Sequence, residues 1–387
     1  MDQETEKNLK TDDLKKKAKR YEAIKLIVGI TESVLSFVVL LLFLLGGYSV
    51  QLRDYVQGIT ANPYWQFLLY SAILGAGLSV ITVPFSFFSG FYLEHRYGLS
   101  NQTIFGWLWE KTKTFLVGLV VILPVALIFY FLLLHYPKTW WLWISIVLFI
   151  VSVILGRIAP QVILPLFYKF EPIDNPELKE RMERLAKNAN FRLQGVYRFN
   201  MSKDTKKANA AFTGMGKSKR IIIGDTLLEN YSVDEIEAVF AHEVGHYWHK
   251  HLHKLLIWGT VETFVGFYLV ALLYQWLLGL MGFHSPADLA ALPLITLILT
   301  IYTLIFSPIS NTLSRHFERQ ADRYAVEHSS DPLALATALE KLSAQNLTDA
   351  EPHPLVEFLF HSHPSVQSRV RMVREFVEKE RMEMEKS

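Results

Sequence analysis

The chain has 387 residues, of which 51% are hydrophobic, 13% aromatic and 20% charged, and its mean hydropathy is +0.21. A positive mean hydropathy excludes a disordered chain or an ordinary soluble domain and indicates several membrane spans mixed with polar sequence. The net charge of +2 gives no sign of nucleic-acid binding, and the lack of cysteine excludes disulfides, thiolate metal ligands and a cysteine nucleophile.

Six apolar stretches are long enough to cross the roughly 30 Å hydrocarbon core of a bilayer. A basic segment, LKKKAKR at residues 14–20, leads directly into the first of them, which is typical of a retained anchor and not of a cleaved signal peptide. The sequence therefore predicts an integral, multi-pass membrane protein. The six stretches are Leu26–Gly47, Tyr64–Leu93, Thr114–Leu134, Trp140–Tyr168, Leu255–Met281 and Ala290–Ile309.

Lysine and arginine are unevenly distributed among the loops. They are frequent in the N-terminal segment, in the second loop, which holds Arg96, Lys111 and Lys113, and in the segment after the fourth span. The opposite loops contain few of them. Loops rich in lysine and arginine stay in the cytoplasm, so the N-terminal segment, the second loop and the polar segment after the fourth span are expected there. Because the number of spans is even, the C-terminus is expected on the same side.

The polar segment between the fourth and fifth spans predicts a helix at Pro176–Ala189, strands at Gly195–Met201 and Arg220–Gly224, and an extended edge at Ala208–Thr213. The expected fold class is therefore mainly α, a polytopic membrane helical bundle with a small β element. The chain divides into an N-terminal membrane region with four spans (1–168), a cytoplasmic segment with strands and the HEVGH helix (169–254), two further spans (255–311) and cytoplasmic C-terminal helices (312–387).

One motif carries the chemistry: His242, Glu243 and His246 lie in the sequence HEVGH. Two histidines four residues apart share one face of a helix, where both imidazoles can reach a single Zn²⁺. The glutamate between them can take a proton from the metal-bound water. The alternative is that the two histidines are structural residues on a helix face.

The surroundings of the motif favour the metal site. Ser232 and Glu235 have the spacing of a capping box, and Tyr231 and Ile236 are placed as a hydrophobic staple, so a helix is expected to begin here. No glycine or proline interrupts the nine residues before the motif or the twelve after it. The helix is therefore expected to continue unbroken into the fifth span.

A catalytic zinc requires a third protein ligand, and Glu318 is the best placed of the downstream candidates Glu262, His316, Glu318 and Asp322. Glu262 lies sixteen residues after His246, about 24 Å along a continuous helix, and cannot reach the same ion. It either marks a polar cavity or a partner, or faces water or the lipid edge near a helix bend. Glu318 leaves the sixth span on the side where the HEVGH helix enters the fifth. Asp322, one turn later, can orient a ligand histidine through its free ring nitrogen.

Three further histidines, His249, His251 and His253, look like interfacial charge beneath the fifth span and not like ligands. Two imidazoles and a carboxylate suit Zn²⁺, although the same set would also hold Co²⁺ or Mn²⁺. The expected cofactor is therefore zinc.

HEVGH followed by SRHFERQAD closely resembles the integral-membrane zinc metalloproteases of the CAAX prenyl protease type I family, and the resemblance covers most of the chain. YGLSNQT at 97–103 resembles that family's GFNQQT loop, and ILPLFYKFEP at 163–172 its IAPLFDKFTP segment. NAAF at 209–212 is similar to its NAYF strand. HSHP at 361–364, with Arg369 after it, is similar to its HYSHP element.

The resemblance implies a ring of helices around a chamber, with His242, His246 and Glu318 as zinc ligands and Glu243 as the catalytic base. It further implies that Asn209 and the neighbouring Ala210 bind the substrate backbone, that His363 stabilises the oxyanion, and that Arg369 holds a carboxylate or supports the site. An edge strand at Asn209–Phe212 would bind an extended peptide by strand addition. The expected partners are the bilayer and a peptide or protein substrate, with or without a lipid.

Two departures from the eukaryotic members favour a prokaryotic homologue in the plasma membrane: six spans in place of seven, and no long insert before the HEVGH helix. The oligomeric state is left open. Two alternatives remain. One is a bacterial heat-shock-type membrane metalloprotease, which shares the zinc motif but has fewer spans. The other is a catalytically silent membrane scaffold, against which the intact motif argues.

Overall fold

A computed structural model describes residues 3–385 except 191, 192, 194 and 214–219. Long helices dominate it, and a small sheet lies between the fourth and fifth membrane helices. The helices are α1 Gln3–Leu45, α2 Tyr48–Ile59, α3 Pro63–Phe87, α4 Leu93–Arg96, α5 Ile104–His135, α6 Trp140–Ile158, α7 Leu164–Phe167, α8 Pro176–Asn188, α9 Asp225–Asn230, α10 Val233–Trp248, α11 His251–Met281, α12 Leu292–His328, α13 Ala334–Asn346, α14 Pro354–Phe360 and α15 Val366–Met384.

Six of these helical stretches, within the described residues, are long and apolar enough to cross a membrane, as the sequence predicted. Their outer faces expose many large apolar side chains, such as Val80, Val120 and Trp276. Water would not tolerate so continuous an apolar surface, whereas lipid chains do. The stretches are Asp12–Leu45, Pro63–Arg96, Ile104–His135, Trp140–Phe167, His251–Met281 and Leu289–His328.

Two of the membrane helices contain a π turn. Phe88–Tyr92 joins α3 to α4 shortly after Pro84, and Ala159–Ile163 joins α6 to α7 around Pro160. Proline removes a backbone donor and crowds the preceding turn, so a local widening of the helix follows. The prolines within these spans therefore alter the helices without ending them.

The polar segment folds into a four-stranded sheet in the order β1-β2-β4-β3. The predicted strands and helix are confirmed to within two residues, except that β1 was not predicted. β4 pairs in parallel with β2 and antiparallel with β3, which forms one edge of the sheet, as the sequence predicted. The strands are β1 Phe170–Pro172, β2 Gly195–Phe199, β3 Ala210–Thr213 and β4 Arg220–Gly224.

The helix that carries HEVGH begins as predicted. The Ser232 hydroxyl accepts from the Glu235 backbone N–H at 3.2 Å, and the Glu235 carboxylate accepts from the Ser232 N–H at 2.8 Å. Tyr231 and Ile236 lie in the same buried cluster, which also contains apolar residues of α8, α13 and α15. α10 is thus fixed at its start and is surrounded by the core of the polar region.

The prediction that this helix continues unbroken into the fifth span is wrong. α10 ends at Trp248 and α11 begins at His251, because Lys250 adopts a left-handed conformation with φ 57°. That conformation costs a lysine roughly 1 kcal/mol. The burial of His251, whose ring stacks on Phe317 at 4.4 Å between centroids, offsets the cost. No glycine marks the turn, so the sequence did not reveal it.

α10 and α12 pack closely at Gly245. A Cβ atom on this residue would lie 2.9 Å from the Ala321 Cα and 3.0 Å from the Tyr324 Cβ. Glycine is therefore required by the neighbouring helix and not by its own backbone angles. The close approach brings the residues of α12 around Ala321 next to the histidines of α10.

We expect Gly245→Ala to force the two helices apart and to lower the free energy of unfolding by about 1–3 kcal/mol, the usual cost of overpacking. Thermal unfolding in detergent would measure this. Gly259→Ala is the matched control, because a Cβ there meets no atom within 4 Å. Equal melting temperatures for the two variants would contradict the proposed steric requirement.

Candidate metal centre

α10 presents His242 and His246 one turn apart on one face. The two Nε2 atoms lie only 3.2 Å from each other. Each ring is engaged through its other nitrogen, Nδ1, by a different partner. Two imidazole lone pairs therefore converge on one point beside α12.

Glu318, from α12, completes this group. Its Oε2 lies 3.4 Å from the His242 Nε2, and its Oε1 lies 3.3 Å from the His246 Nε2. Among the described residues these three are the group of histidines and acids whose ligand atoms lie within 4.8 Å of one another. The Glu318 side chain is buried, and no described nitrogen has hydrogen-bond geometry toward its Oε2, although the His363 Nδ1 lies 3.0 Å from it.

The donor set fits a divalent metal ion. A buried carboxylate oxygen without a hydrogen bond is costly unless a cation lies beside it. Burial alone would lower the pKa of His242, but the carboxylates of Asp322 and Glu318 outweigh burial and raise that pKa to about 9. The same two negative charges that favour a proton on His242 also favour a metal ion between the three ligand atoms.

Asp322 contacts the His242 ring at Nδ1, the nitrogen that faces away from Glu318, and Arg369 in turn contacts Asp322. The Asp322 Oδ1 lies 2.8 Å from the His242 Nδ1, so this nitrogen donates and Nε2 keeps its lone pair. Arg369 donates two hydrogen bonds to Asp322, at 2.5 and 2.8 Å, and its Nη2 lies 3.6 Å from Glu318. These contacts favour a supporting role for Arg369, and its binding of substrate stays a prediction.

A second arrangement, which the sequence analysis missed, supports His246. The interpretation of His251 as interfacial charge is wrong, because His251 is 1% exposed and its Nδ1 lies 3.0 Å from the His246 Nδ1. Its Nε2 lies 2.8 Å from the Gln320 Oε1. The close spacing of histidines in HEVGHYWHKH was the available signal, but a continuous helix would have directed this side chain elsewhere.

His242, His246 and Glu318 are called the metal group below. The remaining predicted residues surround one cavity of about 510 Å³ beside it. Asn209 and Ala210, at the start of the edge strand β3, line it, as do Glu243 and His363. The Glu243 side chain is half-buried. His363 is 64% exposed, and its Nδ1 lies 3.0 Å from the Glu318 Oε2. The structure thus brings all predicted site residues together.

Two of the four candidate ligands face other partners. The Glu262 carboxylate accepts a hydrogen bond from Ser310 at 2.9 Å, inside the membrane region, and Ser310 in turn accepts from Trp258. His316 lies one turn before Gln320 and contacts its side-chain amide at 3.1 Å. These contacts agree with the expectation that Glu262 does not reach the metal group, and of the two open alternatives they favour a partner within the membrane region.

Two family models match the chain. The model of peptidase family M48 matches residues 172–377, which include the whole metal group. The chain belongs to peptidase family M48. Residues 3–169 match the model described as CAAX prenyl protease N-terminal, five membrane helices. In that part the described residues contain four span-length helices and the shorter α2.

Proteins similar to this M48 member include a Bacillus subtilis protein named uncharacterized metalloprotease YhfN, 30% identical over 92% of this chain and 84% of that relative. CAAX prenyl protease 1 of Saccharomyces cerevisiae is 29% identical over 79% of this chain and 71% of that relative. The crystal structure of S. mikatae Ste24p has a TM-score of 0.83 at 26% identity and covers 94% of this chain and 89% of its own.

These comparisons confirm the resemblance drawn from the sequence motifs. The protein is a metalloendopeptidase and an integral, multi-pass membrane protein, and its mainly α fold with a small mixed sheet is that of the Ste24p structure. The Bacillus relative supports the prediction of a prokaryotic homologue.

We expect Asp322→Ala to weaken metal binding by about 10–100-fold, because His242 would lose the acceptor that fixes its ring. Chelator competition would measure the dissociation constant. Arg323→Ala is the control, because this neighbouring side chain is 67% exposed and pairs with Glu327. Unchanged affinity in Asp322→Ala would show that Asp322 does not support the metal ligand.

Proposed function

We propose that the protein is a zinc-dependent endopeptidase related to CAAX prenyl protease 1, with zinc held by His242, His246 and Glu318. One observation carries the proposal: the Nε2 atoms of His242 and His246 lie 3.2 Å apart, and with one carboxylate oxygen of Glu318 the three ligand atoms lie within 4.8 Å of one another. Tetrahedral ligands about 2.0–2.1 Å from Zn²⁺ are separated by roughly 3.3 Å, and catalytic zinc sites use three protein ligands. The spacing of the two imidazole nitrogens and the donor set of two imidazoles and one carboxylate support zinc over ions that prefer six oxygen ligands.

Zinc, when bound, supplies a Lewis acid that polarises the scissile carbonyl and makes water reactive at neutral pH. The Glu243 carboxylate lines the cavity beside the ligand atoms, where it takes a proton from the attacking water and delivers it to the leaving amine. His363, on the cavity wall, donates a hydrogen bond to the oxygen on which negative charge develops. Arg369 keeps Asp322 ionised and in place behind His242.

The edge strand β3 supplies the substrate-binding surface. Asn209 and Ala210 line the cavity, and β3 has a described strand neighbour on one side only. An extended peptide adds to such an edge through backbone hydrogen bonds, which present its scissile bond to Glu243. Binding of this kind accepts many side chains, so sequence selectivity must come from the rest of the cavity.

The active site lies at the cytoplasmic face of a prokaryotic plasma membrane, with both termini on the same side. The basic loops of the sequence support this orientation. α12 leaves the membrane region and continues to Glu318 and Asp322, and α11 enters it directly after the HEVGH helix. The substrate is a peptide or protein at that membrane surface. A CaaX-ending chain is the first candidate, because relatives are named CAAX prenyl protease 1.

Paired digestion tests the substrate class. The detergent-solubilised protein would be given one CaaX-ending peptide in farnesylated and unmodified forms, with and without a zinc chelator. Cleavage of the farnesylated form alone, abolished by chelator, is the expected result. Equal cleavage of both forms would remove the lipid requirement and favour a general membrane protease. Failure to cleave either peptide or an unfolded membrane protein, with zinc bound, would indicate the silent scaffold.

We expect Glu243→Gln to reduce peptidase activity by at least about 100-fold while bound zinc stays at one equivalent, because only the proton acceptor is lost. Activity and metal content would be measured on the same preparation. Glu340→Gln, which changes an exposed carboxylate paired with Arg374, is the control. Full activity in Glu243→Gln would rule out this mechanism.

His246→Ala should lose both metal and activity, because it removes one of three protein ligands. Mass spectrometry of bound metal after dialysis measures the first effect. His253→Ala, seven residues later and exposed, should leave both unchanged. A normal zinc content in His246→Ala would exclude this histidine as a ligand.

A further inference from the structure

His251 is a buried histidine beside the metal group that the mechanism above does not use. It occupies the first position of α11, with 1% of its surface exposed, directly after the left-handed turn at Lys250. Its ring is fixed on three sides: it stacks on Phe317, its Nδ1 faces the His246 Nδ1 at 3.0 Å, and its Nε2 faces the Gln320 Oε1 at 2.8 Å.

The break between the helices creates this contact. In a continuous α-helix, residues five apart are separated by about 140° around the axis, so His251 would lie away from His246. The turn at Lys250 changes the direction of the chain and returns the His251 ring to the outer edge of His246. A left-handed lysine has a conformational cost, and strain of this kind is retained where the surrounding structure requires it.

The hydrogen-bond partners assign the proton positions. The Gln320 Oε1 can only accept, so the His251 Nε2 carries a hydrogen and donates. The neutral His251 ring then offers a lone pair at Nδ1, which accepts from the His246 Nδ1–H. His246 is thereby left with its lone pair on Nε2, the atom that lies beside Glu318. The Gln320 amide nitrogen completes the chain by donating to His316 at 3.1 Å.

We propose that His251 is a positioning residue that sets the tautomer and orientation of His246 for metal binding. The two metal histidines are then supported differently. His242 donates to the Asp322 carboxylate, whereas His246 donates to a neutral imidazole. A neutral acceptor orients the ring without adding a third buried negative charge beside Glu318 and Asp322. This inference rests on the proposed role of His246 as a ligand.

A substitution series at His251 tests the proposal. His251→Phe keeps the stacking on Phe317 but removes the acceptor, and we expect the metal affinity to fall about 10–100-fold. His251→Asn can present an oxygen near the former Nδ1, and we expect affinity within about threefold of the parent. His251→Gln presents its amide near the former Nε2, and we expect it to be as weak as the Phe variant.

Chelator competition with Zn²⁺ measures affinity, and the visible spectrum of the Co²⁺ form reports ligand geometry independently of activity. His253→Phe is the matched control on the same helix, because this side chain is exposed. Gln320→Leu extends the test if a His251 variant does not fold. Leu removes the acceptor of the His251 Nε2–H and should weaken binding.

The outcomes separate this inference from the proposed function. Parental affinity and Co²⁺ spectrum in His251→Phe, together with loss of metal in His246→Ala, would overturn the role of His251 alone. Equal weakening in the Asn and Phe variants would show that packing matters and the acceptor does not, which also overturns it. Retention of metal in His246→Ala would instead contradict the ligand assignment itself.

Discussion

The metal centre depends on the near-contact between α10 and α12 at Gly245. No described covalent link or loop holds Glu318 beside His242 and His246; the packing of two helix backbones does so. Because side chains three or four residues apart lie on one helix face, a single close approach aligns Glu318 and Asp322 with both histidines. The capping box and the surrounding core keep α10 in place so that this approach is reproducible.

The charged side chains around the metal group do not balance one another. Glu318 and Asp322 carry two buried negative charges, and Arg369 supplies one positive charge, so these three side chains together carry one net negative charge. A divalent ion reverses the sign, and the Glu243 carboxylate on the cavity wall then neutralises the whole. The ion therefore completes an electrostatic arrangement that the side chains leave unfinished, which is why support from a neutral His251 suits His246 better than a third carboxylate.

Features with a local signal could be predicted from the sequence. Span length and hydropathy gave the six membrane helices, Ser232 and Glu235 gave the start of α10, and the spacing of HEVGH placed His242 and His246 on one face. The choice of Glu318 over Glu262 followed from distance along the chain. Asp322 was predicted to orient a ligand histidine because it lies one turn from Glu318 on the same helix, and the structure places it beside His242.

Other features depend on contacts between distant parts of the chain. The left-handed turn at Lys250 has no glycine, and it exists because His251 finds Phe317 and Gln320 on α12. The short strand β1 contains a proline and is defined by its pairing with β2. Gly245 also lacks an unusual φ angle, so only the neighbouring helix explains it. In each case the deciding partner is far away in sequence.

Glu318 and the two histidines are connected to the membrane helices in different ways. α12 is one helix of 37 residues, about 55 Å long, and apart from Pro308 it has no proline in its interior between its membrane portion and Glu318. The histidine side is separated from α11 by the turn at Lys250. If α12 tilts in a bilayer of different thickness, Glu318 would move with it, whereas the turn at Lys250 separates the two histidines from a tilt of α11.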